Sequence, residues 1–293
     1  MRKLLLGIVA AIALILGMAA PASAITGNFV EDNEHPYVGL VVFYDEEGEF
    51  TGRCSGSLLT PTVFLTAGHC TDDNSTARVY FQQDAGANYD PVTELDPISG
   101  YPETCAPGTL GVLCATSDEL YDYGFDDFAS FPNTYDVGIV ILDQPIYLDE
   151  YGALAAPGSL DGLATARGTK NVTFTASGYG LTKSNPVAFE SYRERLMASS
   201  ILTNLMSRNT DGFNLQTNGN GAGRGGTCSG DSGGPVFYGG YESNTIVAVT
   251  SFGLNEWCRG VDFAYRTDRQ EVLDWIASVV GPEQYAQIEF VTI

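Results

Sequence analysis

The sequence predicts an all-β protein made of two strand sets and closed by a C-terminal helix. Three observations carry this reading. Short runs rich in Val, Ile, Thr, Phe and Tyr recur between clusters of Gly, Pro, Asn and Asp, the pattern of strands separated by turns. The apolar period becomes helical only after Asp268, where RQEVLDWIASVV sets Val272, Trp275, Ile276 and Val279 on one face. The chain of 293 residues, with 34 Gly, 16 Tyr and 15 Phe, is long enough for a large β core and shows no internal repeat of 20–50 residues.

Residues 1–24 read as a secretory signal. Arg2 and Lys3 precede an apolar run from Leu4 to Ala20, and PASA ends in the small residues that a signal peptidase prefers. A retained membrane anchor is the alternative, although the run is short for a span. Removal after Ala24 leaves a secreted chain that begins ITGN.

Residues 25–148 hold the first strand set: Val38–Tyr44, Gly52–Leu59, Thr62–Thr66, Ala77–Phe81 and Val137–Leu142. Between the last two lies an insertion, roughly Gln82–Thr134, with the acidic aromatic tract DELYDYGFDDF. A solvated surface loop is the first reading of that tract; calcium binding through its carboxylates and contact with substrate are the alternatives. Residues 149–170, rich in Ala, Gly, Leu and Pro, read as a linker. The second set, 171–267, begins with NVTFTASGYG and continues through Glu194–Leu202, Pro235–Tyr238, Thr245–Phe252 and Asp262–Thr267. Residues 268–293 form the closing helix and tail. Asn74 with Thr76 and Asn171 with Thr173 are glycosylation sequons, meaningful only in a eukaryotic secretory host.

The 14 Lys and Arg against 36 Asp and Glu give a net charge of −22, and loss of Arg2 and Lys3 makes it more negative by two. Such a surface repels nucleic acid and favours cationic partners or substrates, or serves solubility alone. Six cysteines in an exported chain imply three disulfides, for which the sequence permits 15 pairings. Zinc is disfavoured because no CxxC pair is present.

The chemistry centres on Cys228–Pro235, CSGDSGGP. A serine hydroxyl needs a base and backbone donors aimed at the charge that develops during attack. Ser232 is the candidate nucleophile, and Gly230, free of a side chain, can hold a backbone that points its N–H beside that of Ser232. A bare GxSxG is equally a glycine-rich turn; the string GDSGGP is more specific. Only two histidines exist. His35, in EHPY, reads as a solvated loop residue, whereas His69 closes LTAGHC after a β-rich run. Asp136, in YDVGIVIL, heads an apolar strand, where an unpaired carboxylate would be costly. The order His69, Asp136, Ser232 excludes the α/β-hydrolase order, since no histidine follows Ser232.

Taken together, LTAGHC, YDVGIVIL and CSGDSGGP resemble the trypsin and chymotrypsin family of serine endopeptidases. The interval from Asp136 to Ser232 matches the family template, and the longer one from His69 to Asp136 is what an insertion would produce. The resemblance implies two antiparallel six-stranded β-barrels, the first carrying His69 and Asp136 and the second Ser232. It implies an oxyanion hole of Gly230 and Ser232 N–H groups, and an activation pair in which a freed Ile25 ammonium meets Asp231, although ITGN departs from the usual IVGG. Disulfides Cys54–Cys70, Cys105–Cys114 and Cys228–Cys258 follow from the same likeness. Ser251 would support Asp136, and Ser251, Phe252 and Gly253 would pair with substrate backbone. The residue six before the serine is Gly226, which counts against the usual trypsin-like selectivity. CRGVDFAYR fits in two registers, one placing Asp262 in the specificity pocket and the other Val261. The family implies no cofactor or metal, protein or peptide substrates, protein inhibitors as further partners, no nucleic acid, no membrane after signal removal, and a monomer. A protease-like secreted binding protein that has lost catalysis is the alternative, and an esterase on the same fold is also compatible with the triad.

Overall fold

Most strands of the structure, a computed structural model describing residues 25–85, 113–164, 172–185, 188–191 and 194–293, fall in two antiparallel sheets that curl on themselves. The first half contains β1 (Thr26–Gly27), β2 (Val30–Glu31), β3 (Val38–Tyr44), β4 (Phe50–Leu58), β5 (Val63–Thr66), the single turn α1 (Gly68–Thr71), β6 (Thr76–Tyr80), β7 (Cys114–Ser117), β8 (Glu119–Asp122) and β9 (Gly138–Ile141). Its sheet runs β7-β6-β3-β4-β5-β9-β8. Only Asp118 separates β7 from β8, so the two are arms of one bent strand, and the six-stranded ring nearly closes. Ser117 holds the bend: its hydroxyl donates to the Ile141 carbonyl at 2.6 Å and accepts the Glu119 N–H at 3.0 Å.

The expected insertion is therefore too long. Part of what reads as an acidic loop is the sixth barrel strand, because Leu120 of DELYD packs against the core while Glu119 and Tyr121 face solvent. Residues 86–112 lie outside the described residues, as does Cys105; Cys114 is disulfide-bonded.

The second half contains β10 (Ala153–Ala155), β11 (Thr173–Gly178), β12 (Leu181–Asn185), β13 (Ala188–Ser191), β14 (Leu196–Asn204), β15 (Asn214–Asn218), β16 (Gly225–Gly226), β17 (Pro235–Tyr238), β18 (Thr245–Gly253), β19 (Val261–Arg266), α2 (Gln270–Tyr285) and β20 (Phe290–Val291). Six of them, β17-β11-β14-β15-β19-β18, close into a ring through the β17–β18 pairing. The expected linker contributes β10, which pairs in parallel with both β18 and β20. Strand β15, NLQTN, carries no alternation of large apolar side chains and is legible only through its partners β14 and β19.

The closing helix starts where the period changes and breaks at Gly281, whose φ of 77° precedes Pro282. Val272, Leu273 and Ile276 are buried in the same cluster as Ile139 and Val140, so the helix that follows the second barrel packs onto the first. Trp275 and Val279 flank that cluster. Arg195 links the barrels further, donating to the carbonyls of Asp32, Val38 and Phe81 and to the Tyr179 hydroxyl.

His35 corrects the sequence reading. It is 2 % exposed, bonded through Nδ1 to Asp32 at 2.8 Å and through Nε2 to the Ser243 carbonyl at 3.1 Å, and stacked on Phe237. The sequon at Asn74 is also engaged: Nδ2 donates to the Cys70 and Asp72 carbonyls. Asn171 lies outside the described residues.

Candidate active site

Strand β5 delivers the chain to Ala67, and α1 then turns it so that the His69 N–H and Nδ1 both face Asp136. The N–H donates to Oδ1 at 2.8 Å, and Nδ1 lies 3.0 and 2.9 Å from the two oxygens. Asp136 is fully buried just before β9, and its Oδ2 also accepts the Ser251 hydroxyl from β18. Burial disfavours the charged imidazole, but the Asp136 charge and hydrogen bond outweigh it and raise the His69 pKa. The Cys54–Cys70 disulfide fixes the turn beside the ring, with Cα atoms 6.3 Å apart. Cys54, His69 and Cys70 are the one metal-like cluster among the described residues, and their sulfurs are already bonded to each other. No three carboxylates of the acidic aromatic tract come close enough among those residues to share an ion.

The nucleophile loop seats against the first barrel. The Ser55 N–H donates to the Ser232 carbonyl at 2.8 Å, and a Cβ on Gly233, whose φ is 76°, would lie 2.1 Å from Thr66 Oγ1 and 2.6 Å from Ala67 N. Only glycine permits that approach, which brings the loop against the strand leading to His69. Among the described residues Ser232 and His69 share no hydrogen bond; such bonds tighten when substrate is bound.

Around Ser232 the backbone donors divide cleanly. Asp231, Gly233 and Gly234 N–H groups donate to the carbonyls of Cys228, Thr250 and Asp231, whereas those of Ser229, Gly230 and Ser232 find no protein acceptor among the described residues. Gly230 has a φ of 95°, and a Cβ there would meet Gly180 Cα at 2.9 Å. Ser55 also braces this loop, its hydroxyl donating to the Gly230 carbonyl and accepting the Tyr179 N–H. Ser55 has no motif of its own and is found only through these contacts.

Asp231 is fully buried, with Oδ1 and Oδ2 accepting N–H bonds from Gly180 and Cys228, each at 2.8 Å. Burial pushes its pKa up to about 7 despite those bonds. Ile25 is also fully buried, packed on Leu196 and Ala198, and among the described residues it shares no bond with Asp231. In the full-length chain its nitrogen is a peptide nitrogen, so no ammonium is available to form the pair. Ile25 holds a φ of 60°, a strained value for a β-branched residue. The next residues are docked, with β1 pairing β16 through Thr26 and Gly226.

A cavity of about 270 Å³ opens beside Ser232 between Cys228–Ser229 and Ser251–Gly253, closed on one side by the Cys228–Cys258 disulfide. Gly253 pairs with Asp262 across β18 and β19, and Asp262 is not among the residues that line this cavity. Asp262 lies behind Gly226: a Cβ on Gly226 would lie 2.6 Å from Oδ2, and one on Gly253 3.8 Å from Oδ1. The carboxylate accepts the Thr227 N–H at 3.0 Å, and burial raises its pKa to about 6. Sequence reasoning also passed over Phe125, Phe128 and Phe131, which the structure arranges from His69 toward Phe252.

Two β-barrels with a buried carboxylate–imidazole pair and a serine turn at their seam define the class of double-barrel serine hydrolases. The family model described as Trypsin matches residues 24–109 and 117–276, and the chain belongs to that family of serine proteases. The chain is 25% identical over 263 residues to a CLIP domain-containing serine protease B10 of Anopheles gambiae, covering 86% of this chain and 68% of that one. Among solved structures, HL collagenase superposes with a TM-score of 0.60 at 19% identity, covering 88% of this chain and 99% of that one. A scabies mite inactivated protease paralogue superposes almost as well, with a TM-score of 0.59 at 16% identity over 88% of this chain and 97% of that one, so the fold alone does not decide activity.

Proposed function

We propose that the chain is a secreted serine endopeptidase that cleaves peptide bonds after basic residues. The observation that carries this reading is the pair of N–H groups at Gly230 and Ser232 that have no acceptor among the described residues, in a loop where those of Cys228, Asp231, Gly233 and Gly234 are bonded. Free donors on both sides of a nucleophile's loop are what a developing oxyanion requires and what an ordinary turn avoids.

As Ser232 Oγ bonds to the substrate carbonyl carbon, His69 Nε2 takes its proton and the carbonyl oxygen becomes an anion held by Gly230 and Ser232. Asp136, oriented by Ser251, fixes the imidazole tautomer and stabilises the imidazolium. Collapse of the intermediate breaks the C–N bond, and His69 returns the proton to the leaving amine. Water then attacks the acyl ester by the same route and frees Ser232. Asp262, behind Gly226, supplies a negative charge for an Arg or Lys side chain.

Maturation is part of the proposal. Cutting before Ile25 removes the torsion that now strains it and creates an ammonium for Asp231, so removal of residues 1–24 would also activate the enzyme. Labelling of the mature protein with a fluorophosphonate, mapped by mass spectrometry, should place one adduct on Ser232 and none on Ser232→Ala. An unlabelled wild-type protein with Ile25 at its N-terminus would point instead to a protease-like binding protein.

A further inference from the structure

We infer that a second cavity, behind Gly226, binds a basic amino acid or a peptide ending in one, its side-chain cation on Asp262 and its carboxylate between Lys183 and Arg259. This cavity measures about 410 Å³, larger than the one beside Ser232 and within the range of small-molecule sites. Cys258 lines both, so the two lie back to back. Asp262 lines only the rear one of the two. Thr227, which lines the front cavity, donates its N–H to Asp262 Oδ2 at 3.0 Å, so the carboxylate stands just behind the front wall.

Charge is ordered along the rear cavity. Asp262 is buried at 9% exposure, whereas Lys183 and Arg259, which also line the cavity, are exposed. A ligand that is cationic at its inner end and anionic at its outer end matches that order, and a simple cation or a simple anion matches half of it. Between the two ends lies Trp257, half-buried, whose ring face suits a guanidinium.

The walls are fixed to one another. The Thr26 hydroxyl donates to the carbonyls of Gly226 and Cys258, at 3.3 and 3.1 Å, and that of Ser184 to the Glu256 carbonyl at 2.6 Å. Strand β1, strand β12 and the Trp257 segment therefore enclose the space without a ligand. The identity of the ligand rests on the endopeptidase reading: a cut after Arg or Lys releases a fragment that carries both charges on its last residue. Such a fragment, seated from behind, pairs with the carboxylate that would draw the next basic side chain from the front. Product would thus restrain further cleavage after basic residues.

Calorimetry on the mature protein should find L-arginine binding with a Kd on the order of 1 mM. Agmatine, which lacks the carboxylate, and citrulline, which lacks the cation, should bind at least about tenfold more weakly. The double variant Lys183→Gln, Arg259→Gln should weaken arginine about tenfold, leave agmatine no weaker than before and keep turnover of a peptide with Ala at the cut. Arginine at about ten times its Kd should raise KM for a peptide with Arg at the cut about tenfold and leave that of the Ala peptide unchanged. Equal inhibition of both peptides that the double variant does not relieve places arginine in the cleft and overturns the rear site, as does the absence of calorimetric binding. Absence of hydrolysis overturns the endopeptidase reading, while the calorimetry on the same preparation still decides the rear site.

Discussion

His35 and His69 show how little separates a structural histidine from the one proposed as the catalytic base. Each places Nδ1 on a buried aspartate, and each aspartate also accepts a serine hydroxyl, from Ser177 in one case and Ser251 in the other. The difference is the second nitrogen. That of His35 lies 3.1 Å from the Ser243 carbonyl under a stacked Phe237, whereas the His69 side chain keeps 25% of its surface exposed. The contact of His69 with Asp136 was legible because short motifs surround both residues. The burial of His35 was not, since Ser177 is 145 residues from Asp32 in sequence. Asp262 was legible only as one of two registers, because strand pairing and not composition decides which side chain faces inward. Its chemistry makes a specific prediction. With a pKa raised to about 6, Asp262 is charged above that pH and neutral below it, so the preference for Arg over Ala at the cut should fall as pH drops through about 6. Asp262→Asn keeps an acceptor for the Thr227 N–H but loses the charge. Its kcat/KM for basic substrates at pH 8 should drop on the order of a hundredfold and become insensitive to pH near 6. An unchanged basic preference would remove Asp262 from the pocket.

Among the elements, β1 is the one on which the proposed maturation would act. It is only two residues long, yet its partner β16 contains Gly226, so the N-terminal segment is hydrogen-bonded to the strand that fronts Asp262. Upstream, Ile25 is strained, and Asp231 is buried without a cationic hydrogen-bond partner among the described residues. A carboxyl whose folded pKa is about 7 and whose ordinary value is 3.8 retains a proton in the native state that the unfolded chain has released. That contribution to stability is complete below about pH 4 and lost as pH rises through about 7. A Ser232→Ala chain retaining residue 24 should therefore lose on the order of 5 °C of Tm across this window relative to the same chain beginning at Ile25, where the ammonium offsets the charge. Calorimetry on the two forms gives the answer, and parallel curves would discard the pairing. The strands themselves were largely legible: VGLVVFY and PVFY match β3 and β17 end to end, since continuous apolar runs admit little else. Strands β7 and β8 were missed because their polar, acidic residues line the outer face of a bent strand, where alternation is hard to tell from a loop.

At the scale of the whole molecule, a net charge of −22 accompanies the Asp262 carboxylate that the proposal places behind Gly226. Both features draw cations, the first at long range and the second on contact. Raising NaCl from about 0.02 to about 0.5 M should lower kcat/KM for basic peptides several-fold, because the Debye length falls from roughly 20 Å to a few ångströms. A neutral ester should show no such slope, and equal slopes would deny any steering. Each barrel contributes two residues to the site: His69 and Asp136 stand on one, Ser232 and Ser251 on the other, and α2 and Arg195 hold the two together. Under the proposed mechanism, turnover is a gauge of alignment between the halves. A slip of an ångström along their shared boundary would silence the chemistry while leaving each half intact, so an agent that wedges the halves apart could inhibit without ever entering the cleft.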